Sequence, residues 1–242
     1  MARQFISFVG LLGVFMFAFL DLGRPEMGAQ PPNSLTGLSL LVSDDFEDGH
    51  AQGWQPNIPE HWEVAEEMGS LVYRLTAPGR QGEVKAPTSW SILKDFDVAS
   101  FVFTGRIKCN ADTANKYRDV DIIFHYQDPI HFYYIHFGAF SDQVHNIIGL
   151  VDGKDRVKIN YEPPGQSIAR MVDEQFHYFK VTYNSENGEI KAYLDDMKTP
   201  VLTATDKTLG HGYVGLGSFD DTGSFDDIQL WGKIYKNKAE DF

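Results

Sequence analysis

The chain has 242 residues and a formal net charge of -13, with 21 Lys and Arg against 34 Asp and Glu. That balance argues against nucleic acid or an anionic membrane as partner, since both need a basic surface. The length suits one sandwich-sized domain that buries its core without staples. The single cysteine, Cys109, allows no internal disulfide and reads as a near-core residue. Aromatic residues make up 14% of the chain, which favours strand over helix.

Arg3 precedes an uncharged apolar run from Phe5 to Leu20. Residues 1–29 therefore read as a secretory signal, with an uncleaved anchor as the second reading. Ala29 is the best small residue near the cleavage point. The run is short for a membrane span, which takes roughly 20 apolar residues. No cysteine stands just after it, so a lipoprotein is not expected. The expected location is secreted or periplasmic, with residues 30–37 a linker, 38–235 the folded domain and 236–242 a tail.

Within the domain, Leu38–Val42 reads as a first strand running into Asp44-Asp45-Phe46-Glu47-Asp48-Gly49. Gly53-Trp54 and His61-Trp62-Glu63-Val64 follow, and Gly69 marks a turn before a strand at Leu71–Thr76. Pro78-Gly79 and Gln81-Gly82 are loop signals. The stretch from Pro87 to Lys94 carries Trp90, an exposed aromatic candidate. Phe101–Lys108 is a strong strand that places Phe101, Phe103 and Ile107 on one face and Thr104, Arg106 and Lys108 on the other.

The centre of the chain runs from Asp119 to Arg156 and predicts three consecutive antiparallel strands, at about 119–126, 132–137 and 144–150. Asp128-Pro129 marks the first turn and Ser141-Asp142 the second. Alternation sorts these residues into two faces. One is apolar: Val120, Ile122, Phe124, Tyr126, Tyr133, Ile135, Phe137, Val144, Asn146, Ile148 and Leu150. The other carries Asp119, Asp121, Ile123, His125, Phe132, Tyr134, His136, His145 and Ile147. If Phe101–Lys108 neighbours the first of these strands, as sequential strands usually do, Arg106 and Lys108 join the polar face.

After Arg156 comes an irregular segment with Pro163-Pro164-Gly165, and 168–175 has room for one helical turn. Strands then read at His177–Tyr183, Glu189–Leu194, Tyr213–Phe219 and Phe225–Trp231. Many short strands with regular turn signals predict an all-β, antiparallel two-sheet jelly-roll sandwich.

Three motifs carry a family resemblance: the opening DDFEDG with its later Trp residues, the middle FHYQDPIHFYYIHF, and the closing GYVGLGSFDDTGSFDDIQLWG. Together they resemble the concanavalin A-like (laminin-G-like) jelly-roll superfamily, and within it the bacterial 3-keto-disaccharide hydrolase-type domains. The resemblance covers about Leu38 to Lys233. It implies a structural calcium held by Glu47 (or Asp45), Gly69 and Asp227; six to eight hard oxygens suit that ion. It implies no organic cofactor. The E-x-D-x-x-E pattern of laminarinase-type members is missing, which weighs against retaining glycosidase chemistry.

The polar face therefore has several readings. In the first, it is a carbohydrate groove with Arg106, His125, Tyr134, Trp90 and Arg156 as ligand-binding residues. In the second, His136 or His145 is a general acid/base with Asp121 fixing its tautomer, in a hydrolase acting on 3-keto-disaccharides or related glycans. In the third, two histidines and Asp121 bind zinc or another transition metal. A solvated sheet face and a calcium-dependent adhesion module complete the set. The carbohydrate groove is the principal expectation, on an oligo- or polysaccharide partner.

Overall fold

A computed structural model describes Leu35 and residues 37–161 and 171–235. The signal segment, most of the linker, the Pro163-Pro164-Gly165 stretch, residues 168–170 and the tail lie outside the described residues; 171–175, the rest of the expected turn, hold no helix.

The described chain is all β apart from a single 3-10 turn at Pro59–His61. Its strands are β1 (Ser39–Asp44), β2 (Trp54–Pro56), β3 (Trp62–Glu67), β4 (Ser70–Leu75), β5 (Ser89–Cys109), β6 (Asp119–Asp128) and β7 (His131–Gly138). They continue as β8 (Ile148–Asp152), β9 (Val157–Lys158), β10 (His177–Asn184), β11 (Glu189–Leu194), β12 (Leu202–Thr205), β13 (Gly212–Ser218) and β14 (Gly223–Ile234).

All pairings are antiparallel and fall into two layers linked by β5. The first half of β5 pairs with β2 and β13, and the front layer continues through β6, β7, β8 and β9. The second half pairs with β10 and β14, and the back layer continues to β11 and β12 on one side and to β4 and β3 on the other. β1 runs beside the later part of β14.

This layout corrects one expectation. Phe101–Lys108 does not neighbour β6, because β13 stands between β6 and the first half of β5. Arg106 therefore sits in the back layer, opposite Asp226 of β14. It ion-pairs with Asp226 and Asp227 and takes no part in the polar face of β6 and β7.

The inner faces of the two layers form the main core. Val120, Ile122, Phe124, Tyr133, Ile135, Phe137, Ile148 and Leu150 from the front meet Phe103, Ile107, Phe179, Val181 and Leu230 from the back. Each fully buried side chain of this size contributes about 1.5–3 kcal/mol relative to exposure. Cys109 belongs to this core, 1% exposed, as its near-core reading expected.

The outer face of the front layer has its own apolar cluster: Ile92, Ile123, Tyr126, Phe132, Tyr134, Ile147 and Val151, roofed by Ala86. The segment that carries Ala86 is tied down by the 152–156 turn. The Lys85 amide donates to Asp155 Oδ1 at 2.8 Å, and the Arg156 amide donates to the Lys85 carbonyl at 3.0 Å.

Alternation along β6 holds as far as Phe124 and then breaks. The β6–β7 register shifts between Phe124 and Asp128, and His125 adopts φ 47. A bulge of this kind inserts one residue and exchanges the faces beyond it. His125 thus turns into the core and Tyr126 turns out, the reverse of the expectation for both. The His125 ring packs 4.3 Å from that of Tyr183, with Nδ1 2.7 Å from the Leu209 carbonyl and Nε2 2.8 Å from the Ala99 carbonyl. Burial pushes its pKa down to about 4 against the opposing pull of those carbonyls. His125 is a core residue, not a ligand contact.

Candidate functional site

β6 and β7 present their outward side chains in register. Asp119 pairs with Gly138, Asp121 with His136 and Ile123 with Tyr134. Tyr134 fits because its cross-strand neighbour on the other side is Gly149. A Cβ there would lie 2.2 Å from the ring, so the missing side chain lets the tyrosine lie flat across β8.

Asp119, Asp121, His136 and Tyr134 are each at most 3% exposed. Asp119 Oδ2 accepts from the Phe219 amide at 2.9 Å and from the Ser218 hydroxyl at 3.3 Å, while its Oδ1 has no partner. Neither oxygen of Asp121 has a hydrogen bond, and neither does the Tyr134 hydroxyl. Desolvation, then the charges of neighbouring acids, raise both carboxyl pKa values well above the ordinary range; Arg156 partly opposes this at Asp121. The Tyr134 phenol is raised by burial and by Asp121.

His136 is held neutral. Burial, then His145 and Arg156, lower its pKa to about 3. Its Nε2 lies 3.8 Å from Asp119 Oδ2, and its Nδ1 lies 3.4 Å from the Asn146 amide nitrogen. The expected acid/base pair of Asp121 with histidine is not formed: Asp121 faces His136 across the strands without a hydrogen bond.

The third expected strand begins at Ile148, four residues later than the alternation predicts. Asn146, with φ 50, clamps the preceding loop by bonding the Gly138 amide and the Gly138 and Phe140 carbonyls. Val144 and Asn146 are therefore loop residues and Val144 is exposed. The clamp still delivers His145 to the site. Its ring lies edge-on to His136 at 5.4 Å, stacks on Tyr117 at 5.0 Å, and its Nδ1 is 2.9 Å from Asp142 Oδ1.

Above these residues lies a cavity of about 360 Å³ walled by His136, His145, Arg156, Asp119, Asp220 and Tyr117, with Lys85 at its edge. The Arg156 guanidinium sits 4.5 Å over the Phe219 ring. A second, larger cavity of about 820 Å³ lies beyond the Ala86 segment and takes Trp90 into its wall. Trp90 packs against Tyr126 and Phe132, so one side of it is already covered.

The structure thus brings together Asp121, Tyr134, His136, His145 and Arg156, places Trp90 in a separate cavity, and removes Arg106 and His125. Tyr117, Asp220 and Lys85 were not foreseen. Asp119 was placed on the right face but given no role, although its i, i+2 spacing from Asp121 was the available signal.

The calcium residues divide. Glu47 Oε1 accepts from the Ser70 hydroxyl at 2.9 Å and the Leu71 amide at 3.2 Å. The same hydroxyl lies 2.9 Å from Asp226 Oδ2. Gly69 has φ +83 in the β3–β4 turn. Asp227 instead reaches Arg106 Nε at 2.6 Å. Glu47 therefore converges with Asp226, not Asp227, and the fit to a calcium ion is partial.

No family model matches the chain, and no curated protein matches it in sequence. Solved structures match its fold. The carbohydrate binding module CBM66 from Bacillus subtilis aligns with a TM-score of 0.51 and 16% identity over 74% of this chain and 94% of its own. The Bacteroides ovatus mixed linkage glucan PUL GH16, in complex with its G4G4G3G product, aligns with a TM-score of 0.50 and 14% identity over 81% of this chain and 100% of its own. The fold is the concanavalin A-like jelly roll. A Bacillus subtilis protein of unknown function with a galectin-like fold matches this jelly roll with a TM-score of 0.51 and 9% identity, over 82% of this chain and 98% of its own.

Proposed function

We propose that this jelly roll is a carbohydrate-recognising domain acting outside the cytoplasm, and that it takes a sugar in the cavity between His136, His145 and Arg156. The observation that carries the reading is the composition of that cavity. It offers a guanidinium, an imidazole and carboxylate oxygens for hydroxyl groups, beside the exposed ring of Tyr117, on the outer face of a sheet whose inner face is sealed. Fold analogy with a carbohydrate binding module and a glucan-complexed GH16 raises the prior without assigning the site.

Binding is favoured over catalysis because the expected acid/base pair is not formed: Asp121, the acid facing His136, is 0% exposed and makes no hydrogen bond with it. Hydrolysis of 3-keto-disaccharides or related glycans, the alternative implied by the sequence resemblance, would have to draw on the acids that line the cavity, Asp119 and Asp220. An adhesion module needs a flatter face than one carrying two cavities.

The test is a panel of oligo- and polysaccharides run on wild type and His145→Ala, by calorimetry for binding and by product analysis for turnover. The expected result is binding without turnover, weakened about tenfold in the variant, as for loss of one hydrogen-bonding group. Product formation would replace this reading with the hydrolase. Binding by neither protein, with both folded, would send the search to a protein partner.

A further inference from the structure

The cavity is not the whole of the polar face. At its floor lies a smaller cluster that shares His136 and Asp119 with the cavity wall, and its hydrogen bonds do not close. Asp121 has two buried carboxylate oxygens without a donor, and Asp119 has one. The Tyr134 hydroxyl, 0% exposed, also lacks a partner, and Asp121 and Asp119 are among the charges acting on it. Buried carboxylates are expensive unless paired, hydrogen-bonded or bound to a metal. The nearest cation, Arg156, makes no ion pair with Asp121, and its Nε is itself without a partner.

The donor atoms of Asp119, Asp121 and His136 all lie within 4.8 Å of one another. His136 Nε2 and Asp119 Oδ2 are 3.8 Å apart, too long for a hydrogen bond. Two donors each about 2.0–2.2 Å from one ion stand ~3–4 Å apart, which is the spacing of that pair. Two carboxylates with one imidazole suit a borderline divalent ion better than calcium, which takes oxygen donors only.

We propose that Asp119, Asp121 and His136 bind one Mn²⁺ or Zn²⁺ ion at the floor of the cavity, with the Tyr134 hydroxyl turned toward it. Asp119 enters already oriented by the Phe219 amide and the Ser218 hydroxyl, the outer contacts that typically fix a metal-binding carboxylate. Loading has a local consequence. An ion on Nε2 leaves the ring proton on Nδ1, so the Asn146 amide loses its acceptor. The inference stands apart from the sugar reading, because its test uses metal alone.

The experiment takes the chain without a histidine tag, strips it with chelator, and titrates it with MnCl₂, ZnCl₂ and CaCl₂ singly by calorimetry, with electron paramagnetic resonance for Mn²⁺. The expected result is one equivalent of Mn²⁺ or Zn²⁺. Asp121→Asn and His136→Gln should each weaken it about a hundredfold, with the near-ultraviolet circular dichroism of the fold retained. The Asn146 amide resonance should move on Zn²⁺ loading. Failure of both ions to bind, binding of Ca²⁺ alone, or undiminished binding in folded Asp121→Asn would each overturn the proposal.

Discussion

Two groups of buried acids sit in opposite layers of the sandwich, and they are built differently. In the back layer, Asp226 is 0% exposed, but it shares the Arg106 guanidinium with Asp227 and lies 2.9 Å from the Ser70 hydroxyl that Glu47 also approaches. In the front layer, Asp121 is equally buried and has no ion pair and no hydrogen bond. The first group carries its counter-charge in the fold. The second leaves it to be brought from outside. An acid neutralised from within holds strands together, whereas an acid left without a partner beside a cavity marks a place for something else to bind.

The contrast predicts opposite responses to removing one charge. Arg106→Met takes away the guanidinium shared by Asp226 and Asp227. It should cost about 3 kcal/mol, the lower end for a buried pair because the Arg106 side chain is 17% exposed. A urea midpoint at neutral pH checks this, and a loss under about 1 kcal/mol would erase the distinction. Asp121→Asn should do the reverse in metal-free protein. It relieves a buried charge without a partner, so stability should hold or rise by about 1 kcal/mol. Added Mn²⁺ or Zn²⁺ should then raise the melting temperature of wild type and leave the variant unmoved. Tyr134→Phe is the mildest test. Deleting a hydroxyl that makes no bond should change metal-free stability by less than about 0.5 kcal/mol, and a larger loss would show that the hydroxyl has a partner.

Much of this was legible in the sequence. The two-sheet class followed from strand and turn spacing, and the two faces of 119–137 followed from alternation, which sorted Ile122, Phe124 and Ile135 inward and Asp121, Tyr134 and His136 outward. Alternation is a local rule and failed where local geometry broke it. At His125 a positive φ inserts a residue, so the histidine that looked like a ligand is packed among Phe101, Tyr133 and Tyr183. At Asn146 a side-chain clamp replaces strand pairing and keeps residues before Ile148 in a loop. Arg106 was misplaced for a different reason. Pro87–Lys94 and Phe101–Lys108 read as separate pieces but are one strand of 21 residues crossing from one layer to the other. No residue pattern within a strand says which layer it has entered. Lys85 and Asp220 join the site through loops, whose paths the periodicity of strands does not encode.

The position of β14 has a consequence for how the chain is made. The strand at Gly223–Ile234 completes the back layer by lying between β5 on one side and β4 and β1 on the other. Its partners are separated from it by more than a hundred residues. A nascent chain that has emerged only as far as Thr222 therefore has its front layer in hand but a gap through the back one. It must stay unsealed, with Phe103, Ile107 and Leu41 short of their final cover, until the last strand arrives. Closure of the back layer therefore waits on β14, whichever of the other strands have already paired.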